Sequence, residues 1–136
     1  MTPVFIDTSA LVALTDSKDR NHTMAEKRFR TLARGRRSLV TSTYVFDETI
    51  TLIRMRIGHA VAVKVGEALM RSQWCRMIEV YEDIRGSAWN LFVRYSDQMF
   101  SFTDCTSFAL MQSMGINEAF TYDRGDFLAA GFIALP

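Results

Sequence analysis

The sequence predicts an α/β fold: a parallel sheet of about five short strands flanked by helices. Three observations predict it. Val4-Phe5-Ile6 is an unbroken apolar run that ends abruptly at Asp7, as a strand buried on both faces does. Short β-favouring runs then alternate with longer stretches of helical periodicity. Gly35, Gly58 and Gly115 fall where those helical stretches stop, the usual position of a helix-ending glycine.

The elements follow in order. Val4–Ile6 is the first strand, and Thr8 and Ser9 open a helix that runs to about Leu14. Residues 15–21 are polar and form a loop. His22 to Arg34 is amphipathic, with Ala25, Phe29, Leu32 and Ala33 on one face and basic residues on the other. Ser38–Thr41 is a second strand. Ser42 caps a helix from Thr43 to Ile57, and a further helix over Ala60–Arg71 makes a helical hairpin with it. Arg76–Val80 is a third strand, and Asp83 starts a helix through Tyr95. Ser101-Phe102-Thr103-Asp104 has capping-box spacing ahead of the apolar run Phe108–Met111. Ala119–Tyr122 and Phe132–Leu135 complete the strands.

A chain of 136 residues fits one domain, residues 1–136, with a sizeable core. No apolar run reaches the roughly 20 residues of a membrane span, and the start lacks a signal-peptide pattern, so a cytoplasmic protein is expected. Cys75 and Cys105 fit neither a metal clip nor a disulfide framework. Net charge is only +1 but unevenly laid out. Lys18 to Arg37 is strongly basic, while the last third gathers Asp97, Asp104, Glu118, Asp123 and Asp126. A solvated helix face explains the basic stretch; so does a polyanion held beside an acidic, cation-filled pocket.

The chemistry resides in four carboxylates at element edges. Asp7 follows the first strand, Glu48 lies in the early turns of a helix, Asp104 in a first turn, and Asp123 follows the fourth strand. In open α/β sheets that edge is where ligands bind. Four converging acids repel unless some are protonated or a cation sits among them. An oxygen-only set suits Mg²⁺ or Mn²⁺, and such ions activate water for phosphodiester hydrolysis. Each acid also has a plainer role: Asp104 as a helix cap, Asp123 as the start of a turn with Arg124 and Gly125, Glu48 as a surface residue. Asp126, three residues past Asp123, is an accessory acid. Arg124, Arg54 and the basic face that includes Lys27 and Arg30 are candidates to hold an RNA backbone.

Rival chemistries fit less well. An aspartyl-phosphate enzyme wants a second acid two residues after Asp7, where Ser9 stands. A receiver domain needs paired acids after strand one and a phosphorylatable aspartate after strand three, where Val80-Tyr81-Glu82 fits poorly, and no G-x-G-x-x-G follows strand one. His22 and His59 are isolated from any nucleophile.

The chain resembles a PIN domain of the VapC toxin type over nearly its whole length. The matching pieces are Phe5-Ile6-Asp7-Thr8-Ser9-Ala10-Leu11, Asp19-Arg20-Asn21-His22 with Ala25, Glu48-Thr49, Ser101-Phe102-Thr103-Asp104-Cys105, and the run from Ala119 to Phe127. The family's core acids map onto Asp7, Glu48 and Asp104, its variable fourth acid onto Asp123, and its frequent accessory onto Asp126. Thr121 matches the hydroxyl two residues before the fourth acid, and Thr8 the small polar residue after the first. Cys105 departs mildly from the alanine common there. The resemblance implies a three-layer fold with sheet order 3-2-1-4-5 and a Mg²⁺- or Mn²⁺-dependent endoribonuclease. It further implies a homodimer and a cognate VapB-type antitoxin whose tail fills the active-site groove. The alternative is a non-catalytic or housekeeping PIN-domain protein that binds or processes RNA without an antitoxin. For the homodimer, Ile53, Ile57, Val61, Val65 and Leu69 on the helical pair are the expected apolar contact.

Overall fold

A computed structural model describes residues 2–136. The chain runs β1 (Val4–Ile6), α1 (Thr8–Thr15), α2 (His22–Arg34), β2 (Leu39–Ser42), α3 (Thr43–Arg56), α4 (His59–Arg71), β3 (Cys75–Ile78), α5 (Glu82–Arg94), α6 (Phe102–Met114), β4 (Glu118–Phe120), α7 (Arg124–Ala129) and β5 (Ile133–Leu135). The five strands form one sheet in the order β3-β2-β1-β4-β5, and every neighbouring pair is parallel. This is the α/β architecture and strand order expected above.

Central β1 has all three residues fully buried, which explains why its sequence shows no polar alternation. Its partners set the register: Phe5 lies opposite Val40 on one side and Ala119 on the other. Parallel pairing puts the carboxyl ends of β1, β2 and β4 along one edge of the sheet, and the chain leaves that edge into helices. Ser42 ends β2 and caps α3, its Oγ accepting from the Val45 N–H at 3.1 Å. Ser101 and Asp104 close a reciprocal capping box on α6, with both hydrogen bonds at 3.0 Å. Gly115 ends α6 at φ 65°, a left-handed conformation that costs glycine little.

α6 is buried continuously from Cys105 to Met111, packed chiefly against α5 and also against α3. Phe108 is the hub of that layer. Its ring meets Phe100 and Phe127 edge-on at 5.0 Å and stacks on Phe132 at 5.6 Å.

Some boundaries differ from the sequence reading. β3 ends at Ile78, because the Val80 N–H turns to Thr43 Oγ1 at 3.2 Å and leaves the ladder. β4 ends at Phe120, where the Thr121 hydroxyl turns to Asp7. α7 was not anticipated as a helix: six residues containing a glycine are too few to show periodicity, and Phe127, fully buried, anchors it.

The apolar face assigned to dimer formation is mostly consumed within the chain. Ile53 and Leu69 are buried, and Val61 and Val65 pack on a small cluster with Val12 and Ala62. Of the five residues only Ile57 remains exposed; Met55, Val63 and Met70 on the same helical pair are exposed too, as are Trp89, Phe92 and Val93 on α5.

Phe108→Ala should lower unfolding free energy by about 3–5 kcal/mol, since it removes a ring that three others pack around. Urea denaturation monitored by circular dichroism reads this out. A loss under about 1 kcal/mol would contradict the packing described.

Candidate active site

The register of β1 against β4 builds the site. Ile6 lies opposite Phe120, so the residues just beyond each strand, Asp7 and Thr121, emerge side by side. The Asp7 N–H donates to the Phe120 carbonyl at 3.1 Å. The Thr121 hydroxyl donates to Asp7 Oδ2 at 2.9 Å, and the Ser9 hydroxyl donates to the same oxygen at 3.0 Å. Each hydroxyl is anchored in turn: Thr121 Oγ1 accepts the Asp123 N–H at 3.0 Å, and Ser9 Oγ accepts the Tyr122 N–H at 2.9 Å. One oxygen of Asp7 is thus fixed by two donors, and the carboxyl is only 2% exposed.

Asp104 arrives from the other side, in the first turn of α6. Its cap role is real: Oδ2 accepts the Ser101 N–H. The same side chain also lines a cavity of about 520 Å³ whose wall includes Thr8, Ser9, Glu48, Ser101 and Asp123. Capping therefore orients this acid without removing it from the cavity. Asp123 precedes α7 and its side chain makes no cap bond, so the turn it starts does not occupy its carboxylate. Glu48 is half-buried and faces the cavity from α3. Asp126 sits in the first turn of α7, close enough to raise the pKa of both Asp104 and Asp123.

The electrostatics follow from burial without compensation. Burial, reinforced by Asp123 and Asp104, pushes Asp7 up to about 7 against the opposing hydrogen bonds of Thr121 and Ser9. Burial pushes Asp104 up to about 6, with the Ser101 bonds pulling down and Asp123 and Asp126 pushing up. Asp123 at the rim is raised by desolvation and Asp126, while its hydrogen bond with Asp7 pulls the other way. Among the described residues the ion pairs are His22–Glu26, Arg30–Glu26 and Arg37–Glu118, and none touches these acids.

Among the described residues, no three ligand-type side chains already stand as an ion cage. Glu48, Asp104 and Asp123 share one cavity without closing on a point, and Asp7 lies buried behind the Thr8 and Ser9 that wall it. The donor chemistry nevertheless fits a hard dication: every group is an oxygen, and the buried Asp7 has no cationic side chain to balance it. The Thr8 hydroxyl, buried and without a protein partner, adds a further oxygen at the cavity wall.

The basic candidates are distributed differently from the sequence reading. Arg54 lines an apolar hollow between α3 and α4, away from the acids. Lys27 lines a separate hollow with Arg28 and Pro136, and Arg30 reaches back to Glu26 at 3.9 Å. Arg124 is exposed beside Asp123. The arginines that line the acid cavity are Arg20 and Arg56. Arg56 was legible: Glu48, Leu52 and Arg56 follow at four-residue spacing, one face of α3. Ser9 was also missed as a partner of Asp7, and its place two residues beyond the strand end was the available signal.

The folded protein retains a proton on Asp7 up to about pH 7 that the unfolded chain releases near 3.8. Metal-free stability therefore loses a contribution on the order of a few kcal/mol as pH rises from about 4 to about 7. Asp7→Asn mimics the protonated carboxyl, so its stability gain over wild type should grow across that window and level off above it. Thermal unfolding in chelator from pH 4 to 8 measures the difference. A gain independent of pH would contradict the raised pKa.

Comparison with known proteins follows the same lines. A PIN domain family model matches residues 4–133. Two curated relatives, from two strains of Mycobacterium tuberculosis, are each called 23S rRNA-specific endonuclease VapC20. Each is 39% identical over 130 residues, covering 96% of this chain and 95% of the relative. The crystal structure of Mycobacterium tuberculosis VapC20, described as a Sarcin-Ricin loop cleaving toxin, superposes with a TM-score of 0.88 at 36% identity and covers 96% of both chains. The chain belongs to the PIN domain family, and within it to the VapC-type toxin nucleases.

Proposed function

We propose that the chain is a divalent-metal-dependent endoribonuclease, the toxin of a VapBC-type pair, with structured ribosomal RNA as its substrate class. One observation carries the reading: a buried aspartate with no countercation, held by Ser9 and Thr121 behind the wall of a cavity that two further acids with raised pKa values, Asp104 and Asp123, line. The activity given for the Mycobacterium tuberculosis relatives makes 23S rRNA and its sarcin–ricin loop the first substrate to try.

In this reading Asp7, Glu48, Asp104 and Asp123 hold Mg²⁺ or Mn²⁺. When bound, the cation supplies charge neutralisation at the phosphate and lowers the pKa of a water. The chain's own groups set the geometry. Thr121 and Ser9 fix Oδ2 of Asp7, which leaves Oδ1 without a side-chain donor. Ser101 holds one oxygen of Asp104 and leaves the other free for the cavity. Asp126 adds negative charge behind Asp104 and Asp123. Thr8 contributes its unpartnered hydroxyl.

The partners follow from the family: a VapB-type antitoxin over the groove, and a second copy of the chain. The contact for the second copy is the aromatic surface of α5, where Trp89 and Phe92 stack at 5.7 Å and both meet Phe102. Among the described residues no helix is long and apolar enough to cross a membrane, and a cytoplasmic location fits an RNA substrate.

An RNA carrying the sarcin–ricin stem-loop should be cut in Mg²⁺ or Mn²⁺ and left intact in chelator or by Asp7→Asn. Thr121→Val should cut about 10- to 100-fold more slowly, because it frees Asp7 to rotate. Cleavage that survives both chelator and Asp7→Asn would remove the metal role. For assembly, light scattering at micromolar concentration should give a dimer for wild type and a monomer for Trp89→Ala; a wild-type monomer would count against the second copy.

A further inference from the structure

The acid cavity is a trough with two chemically different ends. α1 and α3 both start at the carboxyl edge of the sheet and pack on each other, with Val12 of α1 in one cluster with Ile53 of α3. At the starting end the walls are Thr8 and Ser9 on α1 and Glu48 on α3. One turn further on they are Val12 and Leu52, both apolar. Beyond these stand Arg56 on the last turn of α3 and Arg20 on the loop that leaves α1. Glu48 and Arg56 are eight residues apart on one helix, so their Cα atoms are separated by about 12 Å.

Neither guanidinium is spent inside the protein. Among the described residues neither Arg20 nor Arg56 belongs to an ion pair, although both share a cavity with carboxylates. The apolar turn separates them from Glu48 and Asp104, and Asp19, which lines the cavity next to Arg20, spends Oδ1 on the Asn21 N–H. The loop bearing Arg20 is tied down: Asp19 Oδ1 accepts the Asn21 N–H at 2.8 Å, and the His22 N–H donates to the Asp19 carbonyl at 3.0 Å. An exposed arginine on a braced loop, opposite a second arginine, presents two donor forks to one groove.

We propose that Arg20 and Arg56 form a phosphate clamp, holding backbone phosphates beside the scissile one so that the RNA strand lies along the α1–α3 trough. The inference rests on the nuclease reading and adds direction to it: acids at one end act on the bond, and arginines at the other fix the strand's course. Flanking phosphates are the fitting occupant because they recur along a strand and accept forked guanidinium bonds.

The test is fluorescence anisotropy of a fluorescein-labelled stem-loop RNA, with Ca²⁺ replacing Mg²⁺, over a series of KCl concentrations. Arg20→Ala and Arg56→Ala should each weaken binding about tenfold. Each should also lower the slope of log affinity against log salt by about 0.7, the value for one single-strand phosphate contact. Arg56→Lys should restore most of the slope but only part of the affinity. Arg54→Ala, the same charge change two residues away, should bind within about twofold of wild type, as circular dichroism verifies that all variants are folded. Equal losses for Arg54→Ala and Arg56→Ala, no loss for Arg20→Ala and Arg56→Ala, or no RNA binding by wild type would each overturn the clamp. Failure of wild type to cut RNA in Mg²⁺ would instead overturn the nuclease reading, so the two failures are separable.

Discussion

The structure depends on one buried carboxyl group that the protein orients but does not neutralise. Asp7 sits at the junction of the central strand and the first helix, where the neighbouring strand end delivers Thr121 to it. Two hydroxyl donors are worth less than the solvation lost and the repulsion gained, so the pKa rises to about 7. Protonation relieves that imbalance, as does a dication. A site destabilised in this way is a common cost of function, because groups held ready for a ligand strain the fold without it.

The rest of the sheet edge is arranged around that group. Parallel pairing brings β1 and β4 side by side, so two acids from opposite ends of the chain, Asp7 and Asp123, come close enough for Asp123 to raise the pKa of Asp7. α6 brings Asp104 in through its capping box, which satisfies the helix terminus and aims the carboxyl with the same bonds. α3 adds Glu48 from across the cavity. Its start is set by the Ser42 cap and its phase by Val45, Thr49 and Ile53, all fully buried. No acid is left to a floppy loop, and each position follows from packing behind it.

Much of this was legible in the chain. The apolar run into Asp7, the Ser42 cap and the Ser101–Asp104 box are local signals, and local signals survive folding. The resemblance to the PIN family supplied the strand order, which no local pattern encodes. What escaped was set by tertiary context. α7 is too short to show a period, and Phe127 is its buried residue. The helical pair looked apolar enough for an interface, yet its neighbours use Ile53 and Leu69 for the core. Arg54 and Arg56 are indistinguishable by composition, and only helical phase decides which one faces the acids. The hydroxyl of Ser9 was read as a helix opener, and its second role appeared only once Thr121 stood beside it.

The most direct test of the account is proton release on metal binding, measured by titration calorimetry in buffers of different ionisation heat. Mg²⁺ or Mn²⁺ entering among these acids must displace the proton that Asp7 retains. The account predicts release of between one and two protons per ion near pH 6, because Asp104 at about 6 gives up a share as well, falling toward zero by pH 8, and about one proton fewer from Asp7→Asn at pH 6. Binding with no proton release at pH 6, or equal binding by Asp7→Asn, would contradict it.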